Sequence, residues 1–329
     1  MPTPPLNGIR VVDMAGEPLA MAGRMLADLG ADVVKLEPAG GDPLRRLAPL
    51  HPGSGTSLRF LAFNAGKTSI EYRACEATAE LLAGAHLVIE TPGFPGALEL
   101  DRSMAPNAVW LKATPFGLHG PRSHWRASDL GLLAAGGNLF ATGFTDRPPV
   151  RCAEPAAYAH AASEAVFALL TAHAGGGPRT VDLAMSEVVM LANMCGAGQF
   201  PTTGRRGQRM GASMGATREI WPCADGFVSF GLRGGPSRAH NFDILLAQMG
   251  RDKINTASWE GRDWLRFNAA ALSAEELADI ERPLSEYFAQ HSMTELYDLA
   301  VATNLMLAPA NGAAQIVDST QLAARNFFT

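Results

Sequence analysis

The stretch GASMG at residues 211–215 has the GxSxG spacing that serine hydrolases use to present a nucleophile. No strand-like run precedes it, so we favour a chance match over a hydrolase. The first turn, AGEPLAMAG, lacks the GxGxxG spacing of dinucleotide-binding proteins, and no phosphate-loop lysine motif occurs. The metal-ligand spacings HxE, HExxH and CxxC are also missing from the sequence, so no metal site is predicted.

Composition narrows the class of protein. The chain has 329 residues, 47% of them hydrophobic and 18% charged, which is long enough for two domains. A net charge of -5 without a basic run argues against nucleic acid as the main partner. The scattered cysteines predict reduced thiols; they are Cys75, Cys152, Cys195 and Cys223. The N-terminus has no apolar signal segment, and the apolar runs end before membrane-spanning length, so we expect a cytoplasmic protein without membrane contact.

The first half alternates buried runs with helical patterns. The pattern predicts strands at four places, namely 9–13, 32–37, 86–90 and 108–113. Helices at 19–29 and 76–85 lie between them, which indicates a parallel sheet with helices on both faces. The stretch TPGFPG at 91–96 follows a predicted strand, at the end of the sheet where ligands bind.

The second half is mostly helical. We predict helices at 129–139, 156–174 and 185–195, the last after a short strand at 180–183. Asp225-Gly226 predicts a hairpin turn between strands at 219–222 and 227–232. Further helices are predicted at 236–249, 260–271, 274–290 and 293–303. These elements indicate a second, smaller α+β domain from about 205 to 315.

Residues 6–46 contain three distinctive motifs in order: LNGIRVVD, LADLGADVVKLEP and GGDPLRR. These motifs resemble the N-terminal segment of the class III CoA-transferases, the CaiB/BaiF family. Six further stretches resemble later family segments in the correct order: FNAGKTSIEY (63–72), IETPGFPGALEL (89–100), LKATPFGLHGP (111–121), GGGPRTVDLAMSEV (175–188), ADGFVSFG (224–231) and DSTQLAARNFF (318–328).

The resemblance implies an α/β fold of CaiB/BaiF type, with a Rossmann-like parallel-sheet large domain and a smaller α+β domain. We expect the large CoA-binding domain with its central helices at 1–204 and the small domain at 205–315. Residues 316–329 would be a linker back toward the large domain, with the family's C-terminal tail missing. Either that tail is dispensable or a second polypeptide supplies it. The family also implies an interlocked homodimer.

The resemblance further implies that coenzyme A or an acyl-CoA binds as a substrate, with no permanently bound cofactor. The matching positions are Glu17, Pro18, Glu37, Arg45, Asn64, Lys67, Thr91, Gly93 and Lys112. Among these, Lys67, Arg45 and Lys112 would supply positive charge for the phosphates of coenzyme A.

The family's transferases use an aspartate just before the long helix at 156–174, and that position falls here at Ala153 or Glu154. Glu154 is therefore the candidate catalytic residue, because a carboxylate is both nucleophile and leaving group. The glutamate side chain is one methylene longer than that of the family's aspartate, and a misplacement of a catalytic group by ~1 Å can cost roughly a hundredfold in rate. The alternative is a plain helix-start residue before Pro155. Cys152 is a second alternative nucleophile.

Two classes of function follow from this resemblance. The first is a transferase that moves CoA from an acyl-CoA to a free carboxylic acid through a carboxylate-bound anhydride and thioester. The second is a catalytically impaired or partner-dependent member that keeps the CoA-binding shape. An acyl-CoA racemase is disfavoured. The racemases of the family use a histidine at the position that corresponds to Ser128, and a serine cannot both donate and accept a proton as a catalyst at neutral pH.

Overall fold

The first half of the chain builds one parallel sheet. The computed structural model describes residues 3–192 and 194–328, without the side chains of 194–197. The six strands pair in parallel in the order β3-β2-β1-β4-β5-β6. They are β1 (Arg10–Asp13), β2 (Asp32–Glu37), β3 (Thr68–Glu71), β4 (Leu87–Glu90), β5 (Val109–Thr114) and β6 (Arg179–Ala184). The predicted α/β fold with a parallel sheet is confirmed.

The four central strands of the sheet, β1, β2, β4 and β5, are buried on both faces. Val11, Ile89 and Leu111 belong to one hydrophobic cluster, while their neighbours Val12 and Val88 belong to another. Because successive side chains of a strand point to opposite faces, both faces must be covered. The helices of this half are α1 (Ala20–Asp28), α2 (Leu58–Phe63), α3 (Glu76–Ala83), α4 (Asp129–Ala135), α5 (Asn138–Ala141), α6 (Ala156–Ala174), α7 (Met185–Ala192) and α8 (Met194–Thr203).

The long helix α6 forms the centre of the first cluster. Ala157, Ala161 and Ala165 recur at four-residue spacing and are fully buried. Small side chains on this face let α6 approach the sheet and α1 closely. The predicted helix at 129–139 is split into α4 and α5, because Gly137 takes a φ of 83° at the break. The predicted helix at 185–195 includes Asn193, which lies outside the described residues, as does the side chain of Cys195.

The second half has its own strands and helices. The strands are β7 (Ser213–Met214), β8 (Thr217–Arg218), β9 (Ile220–Pro222), β10 (Phe227–Ser229) and β11 (Ala308–Pro309). The helices are α9 (Ala239–Arg251), α10 (Ala274–Gln290), α11 (Met293–Thr303), α12 (Ala313–Val317) and α13 (Thr320–Ala324). The predicted hairpin is present, since β9 and β10 pair antiparallel across Asp225-Gly226.

The predicted helix at 260–271 is wrong: only Ala269–Ala271 forms a short 3-10 turn there. The reason is an aromatic cluster. Trp264 stacks on Phe242 with 4.0 Å between ring centroids, and Trp259 and Phe267 pack around it. Burying two tryptophans from one loop outweighs the helical spacing of its apolar residues.

The chain divides into two compact units. The first comprises the residues up to Thr142 together with Pro148–Arg209, and the second comprises Gly143–Arg147 and the residues from Met210 onward. Within the described ranges, no helix is both long and apolar enough to cross a membrane. The predicted roles of the segments 1–204, 205–315 and 316–329, and the dimer, stay predictions.

Candidate functional site

A cavity of about 770 Å³ opens at the carboxyl ends of the sheet strands in the first unit. Its lining comes from the segments that follow β1, β2, β4 and β5, together with the segment before α4 and one residue of α6. Those residues include Glu17, Pro18, Asp42, Leu44, Leu47, Gly93, Phe94, Thr114, Leu118, Ser128 and Tyr158. The strand order reverses between β1 and β4, and open parallel sheets bind ligands outside the carboxyl ends at such a switch point.

Three of the predicted CoA-binding positions line this cavity. Glu17 and Pro18 begin a short 3-10 turn after β1, where proline needs no backbone N–H. Gly93 lies in the turn after β4 with a φ of 76°, a conformation that favours glycine, and its N–H donates to Glu99 Oε1 at 2.9 Å. The stretch TPGFPG therefore borders the cavity, and the prediction that it adjoins a ligand site stays a prediction.

Lys67 and Asn64 lie away from the cavity lining. The Lys67 ammonium is buried and donates to Asp13 Oδ2 at 2.7 Å, to the Ala20 carbonyl at 2.6 Å and to Asn64 Oδ1 at 2.8 Å. An ammonium has three donors, so these bonds use all of them. Burial lowers the pKa of Lys67, and the Asp13 carboxylate opposes that shift.

A second buried pair includes Asp42, which lines the cavity. Lys35 Nζ is 3.1 Å from Asp42 Oδ2 and donates to the Ala15 carbonyl at 2.7 Å. Asp42 Oδ1 accepts from the Leu44 N–H at 2.8 Å, which orders the 3-10 turn that follows. This pair holds the loop after β2 against the end of β1 and so shapes the cavity.

Glu37 and Arg45 form a third ion pair at the end of β2. Arg45 donates from Nε to Glu37 Oε2 at 2.7 Å and from Nη2 to Oε1 at 2.5 Å, and Ser69 Oγ also donates to Oε1. Burial alone would raise the pKa of Glu37, but the hydrogen bonds from Arg45 and Ser69 lower it to about 2. The Arg45 guanidinium lies 4.0 Å from the centre of the Phe60 ring.

Thr91 and Lys112 have local partners as well. Thr91 Oγ1 accepts from the Gly16 N–H at 2.8 Å, which ties the end of β4 to the turn after β1. Lys112 Nζ lies 3.0 Å from Glu90 Oε2, its neighbour across β4 and β5. Burial raises the pKa of Glu90, and Lys112 opposes that shift.

Glu154 precedes Pro155 at the start of α6, and its side chain is 78% exposed. Glu154 Oε2 is 3.0 Å from Arg59 Nη2, and Glu17 Oε1 is 3.0 Å from Arg59 Nη1. Arg59 thus connects Glu154 to the rim of the cavity. Glu154 itself does not line the cavity, and Cys152 is exposed.

The residue that α6 presents to the cavity is Tyr158, which sequence reasoning missed. Its backbone N–H donates to Asp129 Oδ1 at 3.2 Å, and its ring meets Phe94 edge to face at 6.1 Å. Ser128 also lines the cavity and caps α4 by accepting from the Gly131 N–H. The only sequence signal for Tyr158 was one bulky side chain in an otherwise alanine-rich turn.

The sheet order, the cavity at its carboxyl edge and the ordered sequence segments define the class of protein. Residues 6–329 match the family described as CoA-transferase family III, and the chain belongs to that family. The predicted resemblance is thereby confirmed.

Particular relatives can be named. The chain is 32% identical to succinyl-CoA:(R)-benzylsuccinate CoA-transferase subunit BbsE of Thauera aromatica, over 97% of this chain and 82% of the relative. It is 32% identical to succinate–glutarate CoA-transferase of Agrobacterium fabrum, over 68% of this chain and 62% of that protein. A CAIB/BAIF family protein from Brucella suis shares the fold, with a TM-score of 0.81, 24% identity and coverage of 98% of this chain and 88% of that one.

Proposed function

We propose that the cavity at the carboxyl edge of the sheet binds an acyl-CoA thioester and that the chain takes part in CoA transfer to a free carboxylic acid. The observation that carries this proposal is the 770 Å³ cavity at the strand-order switch point in a chain of CoA-transferase family III. The names of the relatives, a succinyl-CoA:(R)-benzylsuccinate CoA-transferase subunit and a succinate–glutarate CoA-transferase, agree with it.

The predicted CoA-binding residues divide into two groups in this proposal. Glu17, Pro18 and Gly93 contact the bound thioester directly, because they line the cavity. Arg45 and Lys112 keep about a third of their side chains exposed and can attract the phosphates while paired. The remaining positions, Glu37, Asn64, Lys67 and Thr91, shape the binding surface through their hydrogen bonds.

In one form of this function, Glu154 is the nucleophile. Its carboxylate attacks the acyl carbonyl, CoA thiolate leaves, and a mixed anhydride forms. The thiolate then attacks the glutamyl carbonyl, releasing the first acid and leaving a glutamyl thioester. The acceptor carboxylate attacks that thioester, CoA thiolate leaves, and a second mixed anhydride forms. The thiolate then attacks the acceptor's carbonyl in this anhydride, which gives the new acyl-CoA and releases the Glu154 carboxylate. Arg59 would orient Glu154 for the first step.

In the other form, the chain binds the thioester and a partner supplies the reacting carboxylate. Glu154 is exposed and lies outside the cavity lining. Among the described residues, the carboxylates that do line it are engaged, Glu17 by Arg59 and Asp42 by Lys35. The relative BbsE is itself named as a subunit. The geometry favours this partner-dependent form.

Titration calorimetry with CoA and a panel of acyl-CoAs tests the binding. We expect wild type to bind, and Leu47→Trp, which adds an indole at the cavity rim, to bind at least about tenfold more weakly. Leu50→Trp is the matched control, since Leu47 and Leu50 are 42% and 46% exposed and only Leu47 lines the cavity. Absence of binding by wild type would refute the proposal.

Mass spectrometry after incubation with acyl-CoA and hydroxylamine distinguishes the two forms. A trapped adduct on Glu154 that disappears in Glu154→Gln supports the glutamate nucleophile. Binding without any adduct, and transfer activity only when a second polypeptide is added, supports the partner-dependent form.

A further inference from the structure

The carboxylates of Glu17 and Asp42 line the cavity, and each is already paired. Arg59 Nη1 lies 3.0 Å from Glu17 Oε1. Lys35 Nζ lies 3.1 Å from Asp42 Oδ2. Arg126 lines the same cavity and is exposed, and within the described ranges no hydrogen bond or ion pair reaches its side chain. A guanidinium stays protonated at any working pH, so Arg126 gives the cavity a positive charge that these carboxylates do not neutralise.

The segment that carries Arg126 is anchored on both sides of this residue. Before it, the Trp125 ring meets the Phe116 ring edge to face, with 6.0 Å between the ring centroids. After it, Ala127 packs against the hydrophobic cluster centred on α6, and Ser128 Oγ caps α4 by accepting from the Gly131 N–H. Because its neighbours are anchored, the backbone of Arg126 is held beside the cavity. Ordering this arginine against a ligand therefore costs mainly side-chain entropy.

The charge and shape of the Arg126 guanidinium select among ligand groups. A planar guanidinium binds a carboxylate through two parallel hydrogen bonds. The phosphates of coenzyme A carry several negative charges, and the cations proposed above to attract them, Arg45 and Lys112, lie outside the cavity lining. Leu47 and Phe94 give the lining apolar surface, which suits a carbon chain. An acyl chain that ends in a single carboxylate matches this combination.

We infer that Arg126 binds a second carboxylate on the acyl group, the one that does not form the thioester, so that the cavity favours dicarboxylic acyl-CoA. This inference rests on the proposed binding of acyl-CoA in the cavity. His124 belongs to the same lining and can add an N–H donor to that carboxylate. Because CoA transfer turns the acceptor acid into an acyl-CoA, the same arginine would hold the second carboxylate of the new acyl group. Arg126 thus determines substrate specificity away from the reacting carbonyl.

Titration calorimetry with matched acyl-CoA pairs tests this inference. The pairs are succinyl-CoA with butyryl-CoA and glutaryl-CoA with valeryl-CoA, in which a carboxylate replaces the terminal methyl group of a chain of the same length. We expect wild type to bind at least one dicarboxylic member about tenfold more tightly than its partner, and Arg126→Gln to lose that preference. Binding of butyryl-CoA, valeryl-CoA and free CoA by Arg126→Gln should stay within about twofold of wild type. Its melting temperature should not fall, since the Arg126 side chain has no partner in the described part of the chain.

Arg122→Gln is the matched control, because it removes a positive charge from the same segment at a residue outside the cavity lining. It should keep the preference for the dicarboxylic member. A preference that survives in Arg126→Gln, is absent from wild type, or is lost equally in Arg122→Gln would overturn the inference and leave the proposed function standing. Equal weakening of free CoA and all four thioesters by Arg126→Gln would also overturn it, and would assign Arg126 to a phosphate of coenzyme A. Wild type that binds none of these compounds would instead overturn the proposed function itself.

Discussion

Replacing Lys67 by methionine separates a structural role from the predicted role in phosphate binding. The Lys67 side chain is 1% exposed, and its ammonium pairs with Asp13, whose side chain is fully buried. Methionine has nearly the same length and removes the charge together with three hydrogen bonds. Among the residues that the structure describes, the Asp13 carboxylate would keep only the hydrogen bond from the Ala15 N–H at 3.0 Å.

The expected loss is large because one buried charge is left without its partner. Breaking a buried pair by removing one member costs about 3–5 kcal/mol. For a unit of this size, a loss of 1 kcal/mol in the free energy of unfolding lowers the melting temperature by roughly 2–4 °C. The melting temperature of Lys67→Met should therefore fall by roughly 6–20 °C. The double variant Asp13→Asn/Lys67→Met removes both charges and should recover a substantial part of that loss.

Scanning calorimetry measures these stabilities, and titration with CoA at a temperature where Lys67→Met is folded measures binding. We expect CoA affinity to change less than about twofold, because the ammonium has no donor left for a phosphate. An unchanged melting temperature together with CoA binding weakened about tenfold or more would refute this reasoning and restore Lys67 as a phosphate ligand.

Two further perturbations test the loops around the cavity. The pKa of Glu37 is lowered from 4.5 to about 2, so its ionised form stabilises the fold above pH 4.5, and this stabilisation is lost as the pH falls toward 2. Urea unfolding should show the free energy of unfolding falling by about 3 kcal/mol over this range. The Glu37→Gln variant should lack this pH-dependent loss. Gly96→Ala places a Cβ 2.6 Å from Asp42 Oδ1 at a φ of 81° and should destabilise by about 1–3 kcal/mol or more. Gly40→Ala is the control, because Gly40 has the same φ but an added Cβ there would meet no atom within 4 Å. If Gly40→Ala lowered the melting temperature as much as Gly96→Ala does, the contact with Asp42 would not be the cause.

The sequence predicted the fold where burial patterns are strong. The apolar runs of β1, β2, β4 and β5 lie in the centre of the sheet, and their positions were predicted within one or two residues. Strand β3 was missed because Thr68–Glu71 is exposed throughout and has no apolar run. The segment 260–271 was misjudged because Trp264 packs against Phe242 of α9, a contact between residues distant in sequence.

The site was predictable only in part, for a related reason. Glu17, Pro18 and Gly93 follow strand ends, and position after a strand is readable from sequence. Whether Lys67 faces a ligand or an aspartate depends on where β3 brings it, beside α1 and β1. The orientation of Tyr158 likewise depends on how α6 packs against the sheet, which no local pattern specifies.

A crystal structure of the chain with bound acyl-CoA would test the binding site most directly. We expect the acyl-CoA to occupy the cavity and to contact Glu17, Pro18 and Gly93. Acyl-CoA bound at another surface, with the cavity empty, would contradict that placement.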